Sequence, residues 1–118
     1  MAPARRSNEI PPGTLSMLIL TMLDRHGELH GFEIASHIEA VSEEVLRVEE
    51  GSLYPALQRL LREGFVTAEW GVTKGNRRAR YYQLTAEGRE RLAEETQQYE
   101  RVTGAIFRIL NLPEASQA

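Results

Sequence analysis

The segment EEGSLYPALQRLLREG, residues 49–64, carries a proline within an amphipathic helical pattern. Its apolar residues recur at helical spacing and would lie on one face: Leu53, Leu57, Leu60 and Leu61. Proline lacks a backbone N–H, so a helix tolerates it best in the first turn, where N–H groups have no partner within the helix. Pro55 therefore predicts a helix that begins at about residues 50–52 and ends near Gly64, with one face in the core.

The opposite face of this helix would present Tyr54, Gln58, Arg59 and Arg62. Aromatic, amide and guanidinium groups are the ones that reach base edges and phosphates in a DNA major groove. The helix start would also point backbone N–H groups and the positive end of the helix dipole outward beside Ser52, which suits a phosphate. This face is therefore a candidate for DNA binding, although the Tyr54 ring could instead pack beneath the next segment at the edge of the core.

A β-hairpin is predicted directly after this helix. Apolar residues alternate from Val66 to Trp70, a turn follows at KGN, and the alternation resumes through Tyr82 and Leu84. Residues 74–80 contain four bases and no acid: Lys74, Arg77, Arg78 and Arg80. We expect these bases to bind phosphates, the alternative being an ordinary solvated hairpin.

Two amphipathic helices are predicted ahead of residue 49. The first is capped by Thr14 and ends near Gly27. The second covers residues 31–41 and has these residues on its apolar side: Phe32, Ile34, Ala35 and Ile38. The stretch VLRV, residues 45–48, is short and rich in β-branched residues, so it predicts a small strand beside the hairpin. Such a strand would explain why the connection to the third helix is longer than the turn of a simple helix-turn-helix.

These elements, in this order, predict a mostly α protein with a small antiparallel β-hairpin, folded as a winged helix-turn-helix with one long C-terminal dimerisation helix. In that architecture the third helix enters the major groove while the wing contacts the backbone or the minor groove. We expect a flexible arm over residues 1–12, the winged DNA-binding domain over 13–84, the dimerisation helix over 85–112 and a tail over 113–118. Arg5 and Arg6 would either reach DNA from the arm or lie in a free tail.

The last helix would begin at Thr85 and run to about Asn111. Six of its residues follow one another at alternating spacings of four and three, as in a heptad repeat: Leu92, Thr96, Tyr99, Thr103, Ile106 and Leu110. Much of so long a helix has nothing else in the chain to pack against, so it predicts a homodimer. A two-fold dimer would duplicate the helix and the wing and would bind a palindromic operator in double-stranded DNA.

Composition limits the other function classes. The chain of 118 residues has no cysteine, which removes disulfides and thiolate sites, and no apolar run suits a membrane span or a signal peptide, so we expect a cytoplasmic protein. The net charge is −3, but an acidic protein can still bind DNA through a locally basic face. There is no nucleophile–base pair, phosphate-binding glycine loop or metal motif, and loop and surface roles are favoured for His26, His30 and His37. We therefore expect neither catalysis nor a cofactor or metal.

Four segments resemble, in sequence and order, the PadR-like transcriptional regulators: GTLSMLILTML, HGFEIA, EEGSLYPALQRLLREG and RRARYYQLTAEGRERL. The resemblance covers roughly residues 13–111, and its most specific piece is EGSLYPAL followed about 25 residues later by RRARYYQLTAEG. It implies a homodimeric winged-helix repressor whose C-terminal part is a single dimer-forming helix, as in the short members of the family. The resemblance implies DNA contacts at these positions: Ser52, Tyr54, Pro55 and Arg59 on the helix, and Arg77, Arg78 and Arg80 on the wing.

Regulation stays open at the level of the sequence. The resemblance suggests a small-molecule effector lodged between the dimer helices and the winged domain, whose binding would release the operator. No residue identifies such an effector or the operator, or separates a repressor from an activator. The alternative function is a winged-helix module that binds protein instead of DNA, through the acidic stretch of residues 39–50 and the long helix.

Overall fold

The computed structural model describes residues 10–113. The described chain contains four helices and three strands: α1 (Leu15–His26), β1 (Leu29–His30), α2 (Gly31–Val41), α3 (Glu50–Arg62), β2 (Val66–Val72), β3 (Arg78–Leu84) and α4 (Ala86–Leu110). Three helices followed by a hairpin confirm the predicted mostly α winged helix-turn-helix. The predicted roles of Arg5 and Arg6, and the tail beyond Pro113, lie outside the described residues.

The hydrophobic core lies where α1, α2 and α3 meet the base of the sheet. Its most deeply buried side chains come from these three helices and from β2: Ile19, Leu20, Leu23, Ile34, Leu53, Leu57 and Val66. The helical residues follow the spacing of one helix face, so each helix contributes one apolar stripe, as predicted for α2 and α3. Phe32 is the exception, because it is 74% exposed. It lies two positions from Ile34, and residues two apart on a helix do not share a face.

A glycine ends helix α1, and a histidine caps the start of helix α2. Gly27 ends α1 with φ of 81° and donates its N–H to the Leu23 carbonyl, as the sequence predicted. Thr14 occupies the N-cap position of α1, but its hydroxyl donates to the Pro11 carbonyl at 2.8 Å and does not cap the helix. The cap of α2 is reciprocal: the Glu33 N–H donates to His30 Nδ1 at 3.4 Å, and the His30 N–H donates to a Glu33 carboxylate oxygen at 3.0 Å.

Helix α3 begins where Pro55 predicted, but the proline lies deeper in the helix than expected. The helix starts at Glu50, and the first N–H to reach back four residues is that of Leu53, which donates to the Glu49 carbonyl at 2.9 Å. Pro55 is the sixth helical residue and lies beyond the first turn. It therefore removes one hydrogen bond, the one its position would otherwise make to the Gly51 carbonyl.

The predicted strand at residues 45–48 is wrong; those residues form a loop. Its backbone is held by side-chain acceptors: the Leu46 N–H donates to the Ser42 hydroxyl at 3.1 Å, and the Val48 N–H donates to the Glu39 carboxylate at 3.1 Å. Local acceptors of this kind compete with strand pairing and override the β propensity of VLRV. The third strand of the antiparallel sheet is β1 instead, which pairs with β3 in the order β1-β3-β2.

Helix α4 is fixed to the winged domain at its first turns. Thr85 caps it by accepting from the Gly88 N–H at 2.9 Å, and the same hydroxyl donates to the Gly64 carbonyl at 2.7 Å. Arg89 forms an ion pair with Asp24 of α1 at 3.3 Å. The helix ends at Leu110, followed by Asn111 in the left-handed conformation. Among residues 10–113, no helix is long and apolar enough to cross a membrane.

Candidate nucleic-acid interface

The wing is a regular antiparallel hairpin. Strands β2 and β3 pair from Val66 opposite Leu84 to Val72 opposite Arg78, and the Thr73 N–H donates to the Arg77 carbonyl at 2.8 Å to close the turn. Asn76 provides the left-handed residue of the turn, with φ of 64°. The pairing puts Lys74 at the tip and carries the arginines of β3 up one side of the hairpin.

An open groove of about 1050 Å³ lies between the wing, the N-terminus of α2 and one side of α3. Six of the ten predicted DNA-binding residues line it: Tyr54, Gln58, Lys74, Arg77, Arg78 and Arg80. The other four lie outside the lining, on the exposed face of α3: Ser52, Pro55, Arg59 and Arg62. The fold thus brings the third helix and the basic hairpin together along one face of the protein.

Helix α3 separates its residues cleanly into a buried and an exposed face. Its buried side chains are Leu53, Ala56, Leu57 and Leu60. All six predicted DNA-binding residues of α3 are exposed. The exposed face has two edges, since Tyr54 and Gln58 border the groove while the Arg59 guanidinium donates to the Ser16 hydroxyl of α1 at 3.3 Å. A DNA duplex laid on this face would meet α1, α3 and the wing together.

Tyr54 is packed on one side and exposed on the other. Its ring packs against the backbone of Gly31 at the start of α2, yet the side chain is 45% exposed. One side of the ring is therefore held by the fold while the other faces the groove. A partly packed aromatic ring is a rigid contact surface, because few rotamers remain to be lost on binding.

The wing bases form no ion pair with an acid among residues 10–113. In the part of the chain that the structure describes, the ion pairs are those of His30 with Glu33, Arg89 with Asp24, and Arg91 with Glu95, and none of them involves a base of residues 74–80. Glu33 is the acid that lines the groove, and its carboxylate is engaged by the His30 N–H. The groove therefore offers unpaired cations to a phosphate backbone.

Tyr82 lies at the base of the wing and is buried. Burial raises the pKa of its phenol above the ordinary value of 10.0, and the nearby positive charge of Arg80 acts in the opposite direction. The phenol therefore stays neutral at physiological pH, as a buried tyrosine at the junction of wing and core should.

Sequence reasoning missed Trp70 as a residue of this face. The alternation from Val66 to Trp70 predicted the hairpin and gave Trp70 no role, whereas Trp70 is 60% exposed and lines the groove. The Arg78 guanidinium carbon lies 4.5 Å from the centre of its ring, and that of Arg80 lies 5.8 Å away. The signal that could have found it is the hairpin register, which puts Trp70 directly opposite Arg80.

The histidines occupy structural positions. His26 and His37 stack with ring centroids 3.9 Å apart, and His30 caps α2. Within residues 10–113 there is no cluster of three or more His, Cys, Asp or Glu side chains that could hold a metal ion.

The predicted dimer residues of α4 differ in exposure. Leu92 packs against the core of its own chain, and Thr103 is partly exposed. Tyr99, Ile106 and Leu110 are exposed large hydrophobic residues, and Thr96 is also exposed. Further exposed apolar side chains lie on the same half of the helix: Val102 and Ile109. The C-terminal half of α4 thus carries apolar surface that its own chain leaves uncovered.

A family model for the "Transcriptional regulator PadR-like family" matches residues 19–94, from α1 into α4. The chain belongs to this family. The PadR-like winged helix explains why helix α3 and the basic wing occur together, and the match includes every residue predicted to bind DNA.

Individual relatives agree with the PadR-like assignment. A transcriptional regulator from Clostridium thermocellum has a similar structure, with a TM-score of 0.74 and 27% identity over 81% of this chain and 92% of that one. The negative transcriptional regulator PadR of Bacillus subtilis is 31% identical over 66% of this chain, which spans 42% of that longer protein. A structure of Bacillus subtilis PadR in complex with operator DNA is also similar, with a TM-score of 0.62 and 29% identity over 70% of this chain and 47% of that one.

Proposed function

We propose that this PadR-like regulator is a repressor that binds a palindromic operator sequence-specifically as a homodimer. The observation that carries the proposal is the groove in which Tyr54 and Gln58 of α3 face wing bases that have no acidic partner among residues 10–113. A protein-binding winged helix has no need of such a concentration of unpaired cations beside its third helix. Repression is supported by the likeness to a protein described as a negative transcriptional regulator.

In the proposed complex, α3 enters the major groove and reads bases through Tyr54, Gln58 and Arg59. Amide and guanidinium groups of these types can form two hydrogen bonds to one base, which distinguishes base pairs. Arg62 and the helix start at Ser52 and Pro55 lie on the same exposed face and approach the flanking backbone. Glu49 and Glu50 also lie at that start, so the helix N-terminus is a weaker phosphate site than the wing.

The wing holds the backbone in this proposal. Lys74, Arg77, Arg78 and Arg80 neutralise phosphates, which contributes affinity for any duplex and fixes the register in which α3 meets the bases. Residues 13–84 would then be the DNA-binding domain, and 85–112 the dimerisation helix.

The second copy of the chain covers the apolar half of α4. Tyr99, Val102, Ile106 and Ile109 follow one another at spacings of three, four and three residues, so they form one stripe along the helix. An exposed apolar stripe of this length marks an interface, and two copies related by a two-fold axis can bury it reciprocally. The same axis would set the two winged domains on a palindrome.

A small-molecule effector would act by changing the angle between the two winged domains, which alters the spacing of the two α3 helices. Affinity for the operator should then change when some members of a library of planar aromatic compounds are added. Affinity that stays constant across the library would leave a repressor without a ligand of that class.

The test is selection of duplexes from a random library, followed by fluorescence anisotropy with the enriched sequence. We expect a palindromic motif with half-sites about 10 base pairs apart or a multiple of that. Binding should involve two protomers per site and resist random competitor at physiological salt. A library that yields no enriched motif, with equally weak binding to all duplexes, would favour the protein-binding module instead.

A further inference from the structure

We propose that Trp70 is a positioning residue that holds the guanidinium groups of Arg78 and Arg80 ready for phosphate. The inference rests on the proposed function, because it assigns the way in which the wing binds DNA. Its basis is the contact itself, with the Arg78 and Arg80 guanidinium carbons 4.5 Å and 5.8 Å from the ring centre.

The hairpin register brings these three side chains to one face. Trp70 pairs with Arg80 across the strands, and Val72 pairs with Arg78. Side chains two residues apart on a strand point to the same face, so Trp70 lies beside Arg80 and diagonal to Arg78. The pairing of the two strands therefore brings Trp70 next to both arginines, whichever rotamers the arginine side chains adopt.

Packing in the hydrophobic core does not explain why a tryptophan occupies position 70. With 60% of its surface open, this ring stabilises the fold far less than a buried aromatic would, and it leaves an apolar surface in water. Tyr82 lies two residues from Arg80 on the same face of β3, and it supplies the buried aromatic side chain at the base of the wing. A large exposed ring next to two cations is better explained by what it does to them.

Stacking suits phosphate binding because of the shape of the guanidinium group. The group is planar, its faces are weakly hydrated and its N–H donors point outward in the plane. When a face lies on an indole ring, the in-plane donors stay free for a bidentate contact with phosphate oxygens. An arginine side chain held against the ring keeps fewer rotamers before DNA arrives, so less conformational freedom is lost on binding.

The first test measures DNA affinity of Trp70→Thr, a substitution that keeps β propensity and removes the ring. We expect affinity for operator and random duplex alike to fall about two- to fivefold, the range expected of a cation–π contact at an exposed site. Trp70→Phe, which keeps a weaker aromatic face, should fall between Trp70→Thr and wild type. Val72→Thr is the matched control, since Val72 is 62% exposed on the same face and has no ring to offer a cation.

A double-mutant cycle separates positioning from direct contact. In an Arg78→Ala Arg80→Ala background, measured at about 50 mM salt where weak binding is still visible, Trp70→Thr should cost almost nothing further. A cost that persists undiminished would mean that Trp70 touches DNA by itself, and it would overturn the positioning role.

Trp70 is the sole tryptophan of the chain, so its fluorescence reports on the contact without DNA. Arg78→Ala should change the emission of the free protein, whereas Arg101→Ala on α4 should not. Identical emission for both variants and wild type would overturn the inference. So would a Trp70→Thr protein that binds DNA as Val72→Thr does, while a wild type that binds no duplex would overturn the proposed function and the inference together.

Discussion

The Tyr54 ring of α3 packs so closely against Gly31 of α2 that the contact fixes where the ring lies relative to α2. A Cβ atom at Gly31 would lie 3.0 Å from the Tyr54 hydroxyl oxygen and 3.1 Å from its Cε1 atom. Gly31 is buried by this ring, and no larger residue fits without moving it. The position of the proposed base-reading tyrosine is thus determined by the absence of a side chain on a neighbouring helix.

Gly31→Ala should therefore weaken operator binding severalfold with little change in stability. The added methyl displaces the Tyr54 ring by a few tenths of an ångström, while alanine restricts the unfolded chain, which contributes about 0.4–1 kcal/mol and offsets part of the crowding. Operator titration and thermal unfolding of the same preparation check both statements. In a Tyr54→Ala background the substitution should have no further effect on affinity; an undiminished effect there would show that Gly31 acts by another route.

Arg78→Ala should weaken binding to all duplexes about equally and reduce the slope of log affinity against log salt by about one unit. A phosphate contact carries no sequence information, so the ratio between operator and random DNA should stay constant. Anisotropy titrations at several salt concentrations measure both quantities. Arg101→Ala, an exposed arginine on α4, is the control. Unchanged affinity and slope for Arg78→Ala would remove the wing from the interface.

Tyr99→Glu should convert the protein to a monomer with much weaker operator binding. The change puts a charge where the proposed dimer buries an apolar stripe, and an unpaired buried charge is costly. Sedimentation velocity measures the mass. Gln97→Glu is the control, because it adds the same charge roughly 200° around the helix. A dimer that survives Tyr99→Glu would contradict the placement of the stripe at the dimer axis.

Gly88→Ala should lower the free energy of unfolding by about 1–3 kcal/mol through overpacking. A Cβ at Gly88 would press on the Phe65 carbonyl and lie 2.8 Å from Leu84 Cδ1. Gly51→Ala is the control, since a Cβ there meets nothing within 4 Å and Gly51 lies within α3. It should raise stability by about 0.4–1 kcal/mol, because alanine lowers the conformational entropy of the unfolded chain. Urea unfolding compares the two, and equal stabilities would mean that α4 does not sit closely on Phe65.

Tyr82→Phe should reduce the loss of stability at alkaline pH. The folded pKa of Tyr82 lies above its unfolded value near 10.0, so the folded state binds more protons between the two values. Stability is therefore complete below pH 10 and falls as the pH rises through the folded pKa. Urea unfolding at pH 8 and near pH 11 measures this fall in wild type and variant. Equal falls in both proteins would show that Tyr82 titrates normally in the folded state.

Local signals in the sequence determined most of the secondary structure. The helical spacing of apolar residues predicted α2 at residues 31–41, and Pro55 predicted the start of α3. Thr85 marked the start of α4, because its hydroxyl accepts from the Gly88 N–H three residues further on. The division of α3 into a core face and a polar face also followed from spacing. These features could be predicted because helix geometry relates residues three or four apart, whatever surrounds them.

Tertiary structure alone decided which elements meet. The third strand of the sheet is formed by Leu29 and His30, whereas the VLRV segment satisfies backbone N–H groups with the Ser42 and Glu39 side chains. Trp70 alternates in phase with the core residue Val66, yet it lies exposed beside Arg78, since the hairpin extends beyond the helices that cover its base. A side chain is buried only where another element packs over it. The alternation of apolar residues within one strand does not show how far along the strand that packing extends.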